Sequence, residues 1–394
     1  MKPKVFIVSN YYPFYKLPLL RALAKDTKLD YSYISGLETE ITINILSEEI
    51  LLQNHFQWTK VKNYWLFSKR ILWQEGLLKQ ISFANYDCII FLANPYYLTN
   101  WIGILIARLR KKPVLLWGHF TLRHNWLDPI KILFYQLAHG YLLYGNWAKD
   151  QLISRGFDPD KLFVVYNSMD YEKQIEYRQN LTPEILKNKR QALFNNPDLP
   201  VLLFIGRLTR RKKLDQLIEA CARLHKNNQK VNLLLIGDGE EKEKLINMVS
   251  QYGFNDYVVF WGESYDEAQL AELISLSDLC ISPGEVGLTA IHSLVYGTPV
   301  ITHNNPFMQG PEFEAVISGV TGMFFEQDSI DSLVANILAW LKEKKNQREL
   351  IRFECYKVID QYYNPKYQAE AIKSAIQKNL KKDFIKGNLV KKSR

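Results

Sequence analysis

The chain has few cysteines, and none of them is placed where cysteine chemistry would need it. Among 394 residues only Cys88, Cys221, Cys280 and Cys355 occur, far apart and with no Cys-x-x-Cys, so the spacing of a thiolate metal site is missing. Contexts such as YDCII and DLCIS read as buried free thiols. Long apolar runs are missing too. The N-terminal run Val5–Val8 is too short for the apolar region of a signal peptide. The longest apolar stretch, Trp101–Trp117, is broken by Arg108, Arg110, Lys111 and Lys112, so it cannot cross a bilayer as one helix. The expected location is the cytoplasm, including the inner face of the cell membrane. A complete dinucleotide fingerprint is also lacking: the first strand runs into SNYYPF, and IGDGEE supplies only part of a G-x-G-x-x-G. The one Asp-x-Asp, Asp158-Pro159-Asp160, follows Gly156 and reads as a surface turn.

What is present is a soluble globular composition, 47% hydrophobic and 23% charged, in a chain long enough for two domains. A net charge of +9 calls for an anionic partner: nucleic acid, a nucleotide-activated substrate or an anionic membrane surface. The basic residues form no recognised nucleic-acid module, which sets the first aside.

Short β-branched or aromatic runs alternate with helical periods. Strands are expected at Val5–Ser9, Cys88–Leu92, Val114–Trp117, Tyr141–Tyr144 and Phe163–Tyr166, with helices between them. Residues 172–200, rich in Lys, Gln and Asn and carrying Pro183, Pro197 and Pro200, read as a linker with one solvated helix. The alternation then restarts with strands at Val201–Ile205, Val231–Ile236, Val258–Trp261, Leu279–Ser282 and Val300–Thr302, and a helical tail follows from Glu349. Two consecutive α/β domains with parallel sheets result. Such sheets bind ligands beyond the carboxyl ends of their strands.

Two loops carry the chemistry. In Phe204-Ile205-Gly206-Arg207-Leu208 a strand ends at a glycine, and Lys212 and Lys213 follow. Gly206 admits a ligand close to the backbone, and Arg207 with Lys212 can grip a diphosphate. The other reading of TRRKK is a solvated basic turn opening a helix. The second loop, Ser282-Pro283-Gly284-Glu285-Val286-Gly287-Leu288, leads into a helix that ends before Gly297-Thr298-Pro299. Gly284 and Gly287 leave the start of that helix open to an anion. Glu285 and His292 share a face if the helix starts early; otherwise His292 is a packed helix histidine and Glu285 a first-turn dipole partner.

GRL with a lysine shortly after it, LLIGDGEE, FWGE, SPGEVGLTAIHSLVYGTPVI and PEFEAVISGVTGMFF stand in one order along the chain. Together they resemble the donor-binding half of glycosyltransferase family 4, retaining enzymes of GT-B fold, over residues 201–341. LLWGHF and FVVYNSMD resemble the family's acceptor-side domain more loosely. The resemblance implies an α/β protein of GT-B architecture, with two Rossmann-like doubly wound domains facing a central cleft and a C-terminal helix returning to the N-terminal domain. It implies an acceptor-side domain over residues 1–175, a donor domain over 176–362 and a helix with basic tail over 363–394. A nucleotide-diphosphate sugar is the implied co-substrate, with no cofactor and no metal. The implied catalytic set is Arg207, Lys212 and His119, the cations holding the departing diphosphate and His119 lying near the sugar. The implied donor-binding set is Gly206, Gly237, Gly262, Gly284, Glu285, Gly287, Leu288, His292 and Glu314. Asn167 and Asp170 resemble the stretch leading into the inter-domain linker.

The chain departs from the family at three places. Positions that often hold two glutamates carry Gly284 and His292, and Asn10-Tyr11-Tyr12-Pro13 stands where a glycine pair usually follows the first strand. A nucleotide-binding protein without turnover therefore stays open as an alternative, as does a Rossmann-type epimerase or dehydrogenase. In the first half, Trp58, Tyr64, Trp65, Phe67, Trp73, Trp101 and Trp126 lie among lysines and arginines. These rings are either core or a surface for sugar stacking and an anionic membrane, which would suit a saccharide or lipid-linked acceptor in surface polysaccharide assembly.

Overall fold

The first strand, β1 (Lys4–Val8), alternates between two apolar layers. Phe6 and Val8 pack in one core cluster, Val5 and Ile7 in the other. That two-sided burial needs helices on both faces of the sheet. The computed structural model describes residues 2–40, 43–122, 126–344 and 346–391, with backbone alone from 382 onward. These residues fall into two compact units, one of residues 1–170 with 365–394 and one of residues 171–364.

In the first unit β1 is followed by α1 (Leu17–Ala24), β2 (Asp30–Ser35), α2 (Glu48–Gln53), β3 (Gln57–Lys60) and a hairpin of β4 (Lys62–Leu66) and β5 (Ile71–Glu75). Then come α3 (Leu77–Phe83), β6 (Cys88–Leu92), α4 (Leu98–Leu109), β7 (Val114–Gly118), α5 (Asp128–Gln136), β8 (Gly140–Leu143), α6 (Asn146–Ile153) and β9 (Leu162–Val164). Seven parallel strands lie in the order β3-β2-β1-β6-β7-β8-β9, and the direction of winding reverses between β1 and β6. The helix Pro365–Lys391 returns to this unit. Its Ile372, Ala375 and Ile376 complete the second core layer, Gln368 bonds Ser168 Oγ and the Tyr166 carbonyl, and Lys373 pairs with Asp26 at 2.9 Å.

The second unit opens with α7 (Tyr171–Asn180) and α8 (Pro183–Leu193), then β10 (Val201–Ile205), α9 (Leu214–Lys226), β11 (Asn232–Ile236), α10 (Lys242–Tyr252) and β12 (Val258–Gly262). It continues through α11 (Glu267–Ser275), β13 (Leu279–Ser282), α12 (Thr289–Val295), β14 (Val300–His303), β15 (Gly322–Phe325), α13 (Ile330–Glu343) and α14 (Arg348–Tyr362). The Pro365–Lys391 helix is α15. Six parallel strands are ordered β12-β11-β10-β13-β14-β15, with the reversal between β10 and β13. Both sheets are doubly wound, as expected.

Several readings need correction. Residues 172–200 are not a linker with one solvated helix: α7 and α8 pack into the second unit, where Gln174 and Leu186 are buried. Thr182 caps α8 by accepting from the Ile185 N–H, and Pro183 fits the first helical position. The helical tail is broken at Asn364-Pro365, so α14 belongs to the second unit and α15 to the first. None of the seven rings from Trp58 to Trp126 is fully buried, and Phe67 and Trp126 are among the most exposed apolar side chains. The four cysteines are free and buried, and Asp158 caps the short turn Pro159–Lys161 through the Asp160 N–H.

Candidate functional site

In a doubly wound sheet the strand order reverses at one place, and the loops on either side diverge there to leave a crevice. In the second unit those loops follow β10 and β13, and they carry the two motifs singled out in the sequence. Their backbones touch. Gly206 N donates to Ile236 O at 3.0 Å, Gly237 N to Gly262 O at 2.8 Å, and Gly284 N to Lys212 O at 3.0 Å. A Cβ on Gly237 would stand 1.9 Å from Gly206 O, and one on Gly284 2.1 Å from Arg211 O. These two glycines therefore allow three strand-end loops to stack on one another. Gly262 and Gly287 have open space instead, and each has a positive φ that favours glycine.

The TRRKK segment forms a short 3-10 turn, Arg210–Lys212, ended by Lys213 in a left-handed conformation. Its cations are sorted. Lys213 turns to Asp328 at 2.5 Å, and Arg211 pairs with the Glu285 carboxylate at 2.6 Å. Lys212 points inward and donates from Nζ to the Glu285 main-chain oxygen at 2.5 Å. Burial pushes the pKa of this ammonium down, the carboxylate of Glu285 opposes that shift, and the nearby charges of Arg211 and Arg207 add to it. Arg207 itself is exposed at the rim, directly after Gly206. The basic segment is thus part solvated turn and part interior cation.

Glu285 lies outside α12, which starts only at Thr289, so Glu285 and His292 do not share a helical face. Leu288 is the half-buried residue preceding that helix, and Thr289 Oγ1 donates to Ile205 O, tying α12 to the end of β10. His292 is buried and its Nε2 lies 3.0 Å from Glu267 Oε1, which also accepts from Tyr296 Oη and Gln174 Nε2. This is the packed position weighed for it. Burial drives the Glu267 carboxyl upward, but His292 and the hydrogen bonds of Tyr296 and Gln174 outweigh it and hold the group down at about 2.

Glu314 sits half-buried in the 3-10 segment Pro311–Ala315. Its neighbour Glu312, which sequence reasoning passed over, is the buried one. A Cβ on Gly310 would meet Glu312 Oε2 at 3.0 Å, Gly287 Cα at 3.1 Å and Glu285 Oε1 at 3.4 Å, so these groups converge. The Glu312 charge also reaches Lys212. Two glutamates at i and i+2 in PEFEA gave the only signal, since they cannot both face the same way in a 3-10 turn.

The reversal point of the first sheet holds a cavity of about 260 Å³, lined by Ser9, Asn10, Tyr11, Glu40, Tyr97, Trp117 and Tyr144 among others. Lys16 lies buried in it, with Nζ 2.6 Å from Asn167 Oδ1 and about 5 Å from the Trp117 and Tyr144 rings. His119, exposed after β7, packs its ring 5.1 Å from Tyr144. Among the described residues no group of three His, Cys, Asp or Glu is arranged to hold a metal ion, and no helix is long and apolar enough to cross a membrane.

Residues 186–354 match the family Glycosyl transferases group 1. The chain is 24% identical over 351 residues to alpha-monoglucosyldiacylglycerol synthase of Streptococcus pneumoniae, covering 83% of this chain and 76% of that one. It is 28% identical over 149 residues to the lipopolysaccharide core biosynthesis glycosyltransferase LpsE of Rhizobium meliloti, covering 37% and 42%. Among solved structures it is similar to Anabaena HepE in complex with UDP-glucose, with a TM-score of 0.67, 19% identity, and 95% and 99% of the two chains covered. That likeness gives the two-sheet arrangement as the GT-B fold.

Proposed function

We propose that this chain, a glycosyltransferase by the match of residues 186–354 to the Glycosyl transferases group 1 family, moves a sugar from a nucleotide diphosphate to a hydroxyl of a saccharide or lipid-linked saccharide, with retention of configuration. The observation that carries the reading is the pair of cations at the reversal point of the second sheet, Arg207 at the rim and Lys212 inside. Cleaving the bond between the sugar and the diphosphate puts positive charge on the sugar and negative charge on the leaving group. Fixed cations beside that group stabilise the transition state more than the ground state. An ammonium carries three donors, and the bond to Glu285 O uses one of them.

Gly206, Gly237, Gly262, Gly284 and Gly287 bring backbone close to the donor, and Glu285, Leu288 and Glu314 line the same loops. His292, buried in α12 and held by Glu267, supports the helix that follows the donor loop. The cavity of the first unit, with aromatic rings beside Lys16, Asn10 and Ser9, suits an acceptor sugar ring, and His119 packs on Tyr144, one of the rings that line it. Relatives named for diacylglycerol glucosylation and for lipopolysaccharide core assembly support a lipid-linked or surface-polysaccharide acceptor, handled at the cytoplasmic face of the membrane.

The test is a thermal-shift screen of the purified chain against UDP, GDP, dTDP, ADP and their sugar conjugates, with NAD as control, because a ligand that binds the native state raises its melting temperature. The expected result is one responding base whose effect disappears in Arg207→Ala. A response to NAD alone overturns the reading.

A further inference from the structure

Helix α4, LTNWIGILIARL, buries Thr99, Asn100, Gly103, Ile104 and Ala107 against the first sheet and its neighbours. A surface helix normally carries its polar residues on the opposite face. Here that face carries Leu98, Ile102, Leu105 and Leu109, each at least 40% exposed. Spacings of four, three and four residues put them in one stripe along the helix. The neighbouring α5 is joined to α4 by the Trp101–Phe134 ring contact at 4.9 Å and by Arg108 donating to Leu137 O at 2.7 Å, and it adds exposed Ile130 and Leu133. An apolar patch of this kind marks an interaction surface.

The charges around it say what covers it. Between Asp87 and Asp150 the only acidic residue is Asp128, which is buried and paired with Lys131 at 3.0 Å. Arg108, Arg110, Lys111 and Lys112 lie at the C-terminal end of the stripe; Arg110 is turned onto the Ile81 and Ala84 carbonyls, Lys112 is half-buried 3.5 Å from the Asp87 carboxylate, and Arg108 and Lys111 are exposed. The first unit holds 29 Lys and Arg against 15 Asp and Glu, the second 21 against 26. The basic character of the chain therefore belongs to the unit that bears the stripe. A second copy docked face to face would bring together two units of the same net positive charge and offer the basic end of the stripe no phosphates. A bilayer with anionic headgroups offers hydrocarbon for the stripe and phosphates for its basic end.

We propose that the α4–α5 face docks the first unit on an anionic bilayer surface, with the Leu98–Leu109 stripe among the upper acyl chains and Arg108, Lys111 and Lys112 at the headgroups. The proposal deepens the lipid-linked acceptor reading, yet its test does not depend on turnover.

The full chain is sedimented with vesicles of phosphatidylcholine alone and with vesicles containing phosphatidylglycerol, at low and high salt. Binding is expected to the anionic vesicles, to weaken as salt rises, and to fall at least about tenfold in Ile102→Glu/Leu105→Glu, since burial of each side chain contributes strongly to partitioning. Lys111→Gln/Lys112→Gln should lower anionic binding while leaving the weak binding to neutral vesicles unchanged. Both variants change exposed or half-buried positions and should keep the wild-type melting temperature and nucleotide response. Equal binding by wild type and the glutamate variant overturns the proposal, and so does absence of binding. A wild-type dimer that the glutamate variant converts to monomer also overturns it, in favour of a second copy. A lost nucleotide response would instead strike the donor reading and leave this one standing.

Discussion

Lys212 donates from Nζ to the main-chain oxygen of Glu285 at 2.5 Å, while the Glu285 carboxylate holds Arg211 at 2.6 Å. The loop after β10 and the loop after β13 are therefore latched in both directions, and Gly284 adds a third bond through Lys212 O. One cation both shapes the crevice and faces into it.

Removing that cation should affect chemistry more than folding. Arg207→Ala and Lys212→Ala are each expected to lower kcat/KM by at least about tenfold, from the roughly 1.5–3 kcal/mol carried by a hydrogen bond to a charged group. Steady-state kinetics with the responding nucleotide sugar checks this. Full activity in Arg207→Ala would show that the assignment is wrong.

The alkaline limb of the pH profile should report Lys212. Burial lowers its pKa from the ordinary lysine value of 10.5, so the ammonium loses its proton, and its value to a phosphate, at a lower pH than an exposed lysine would. The limb in kcat/KM reports the free enzyme, and it should lie below 10.5 and disappear in Lys212→Ala.

Acid stability should depend on Glu267. Its folded pKa of about 2 lies below the ordinary 4.5, so its stabilising contribution is complete above pH 4.5 and is lost as pH falls toward 2. Glu267→Gln keeps an amide oxygen as acceptor but removes the negative charge on which His292, Tyr296 and Gln174 converge, and should cost about 1–3 kcal/mol at neutral pH. The gap from wild type should narrow between pH 4.5 and 2 in urea denaturation. A gap that widens on acidification would refute the linkage.

Two glycine substitutions should separate crowding from backbone strain. Gly284→Ala places a methyl group 2.1 Å from Arg211 O, where the loops must part, whereas Gly262→Ala meets no atom and carries only the strain of φ +89. The second should cost about 1 kcal/mol and the first clearly more, with loss of the nucleotide response. Melting temperatures of the two proteins decide it.

Activity is expected to survive EDTA, because Arg207 and Lys212 supply the positive charge at the diphosphate. A rate abolished by chelation and restored by Mg²⁺ or Mn²⁺ would show that a metal shares that task.

Much of the fold was legible because buried parallel strands are continuous apolar runs. Cys88–Leu92, Val201–Ile205 and Leu279–Ser282 fall where CIIFL, VLLFI and LCIS placed them. The strands that escaped notice are those whose sequence looks like something else. β2 reads DYSYIS, β3 is QWTK at the sheet edge, and β4 and β5 form a hairpin whose exposed Tyr64, Leu66 and Phe67 look like core in sequence alone. At the site, Arg207, Lys212 and the glycines could be found because a strand end, a glycine and a cation lie close together in sequence. The inward turn of Lys212, the Glu312 carboxylate and the Glu267–His292 pair depend on residues 25 to 100 positions apart, and no local pattern carries them.

The helix Pro365–Lys391 also has a consequence for how the chain is made. Residues 1–170 leave the ribosome before the second unit, but the layer they need from Ile372, Ala375 and Ile376 is made after it. The second unit, continuous from Tyr171 to Asn364, has all its parts earlier. During synthesis the unit of residues 171–364 can therefore finish folding first, while residues 1–170 wait with an apolar face uncovered until the helix Pro365–Lys391 has emerged.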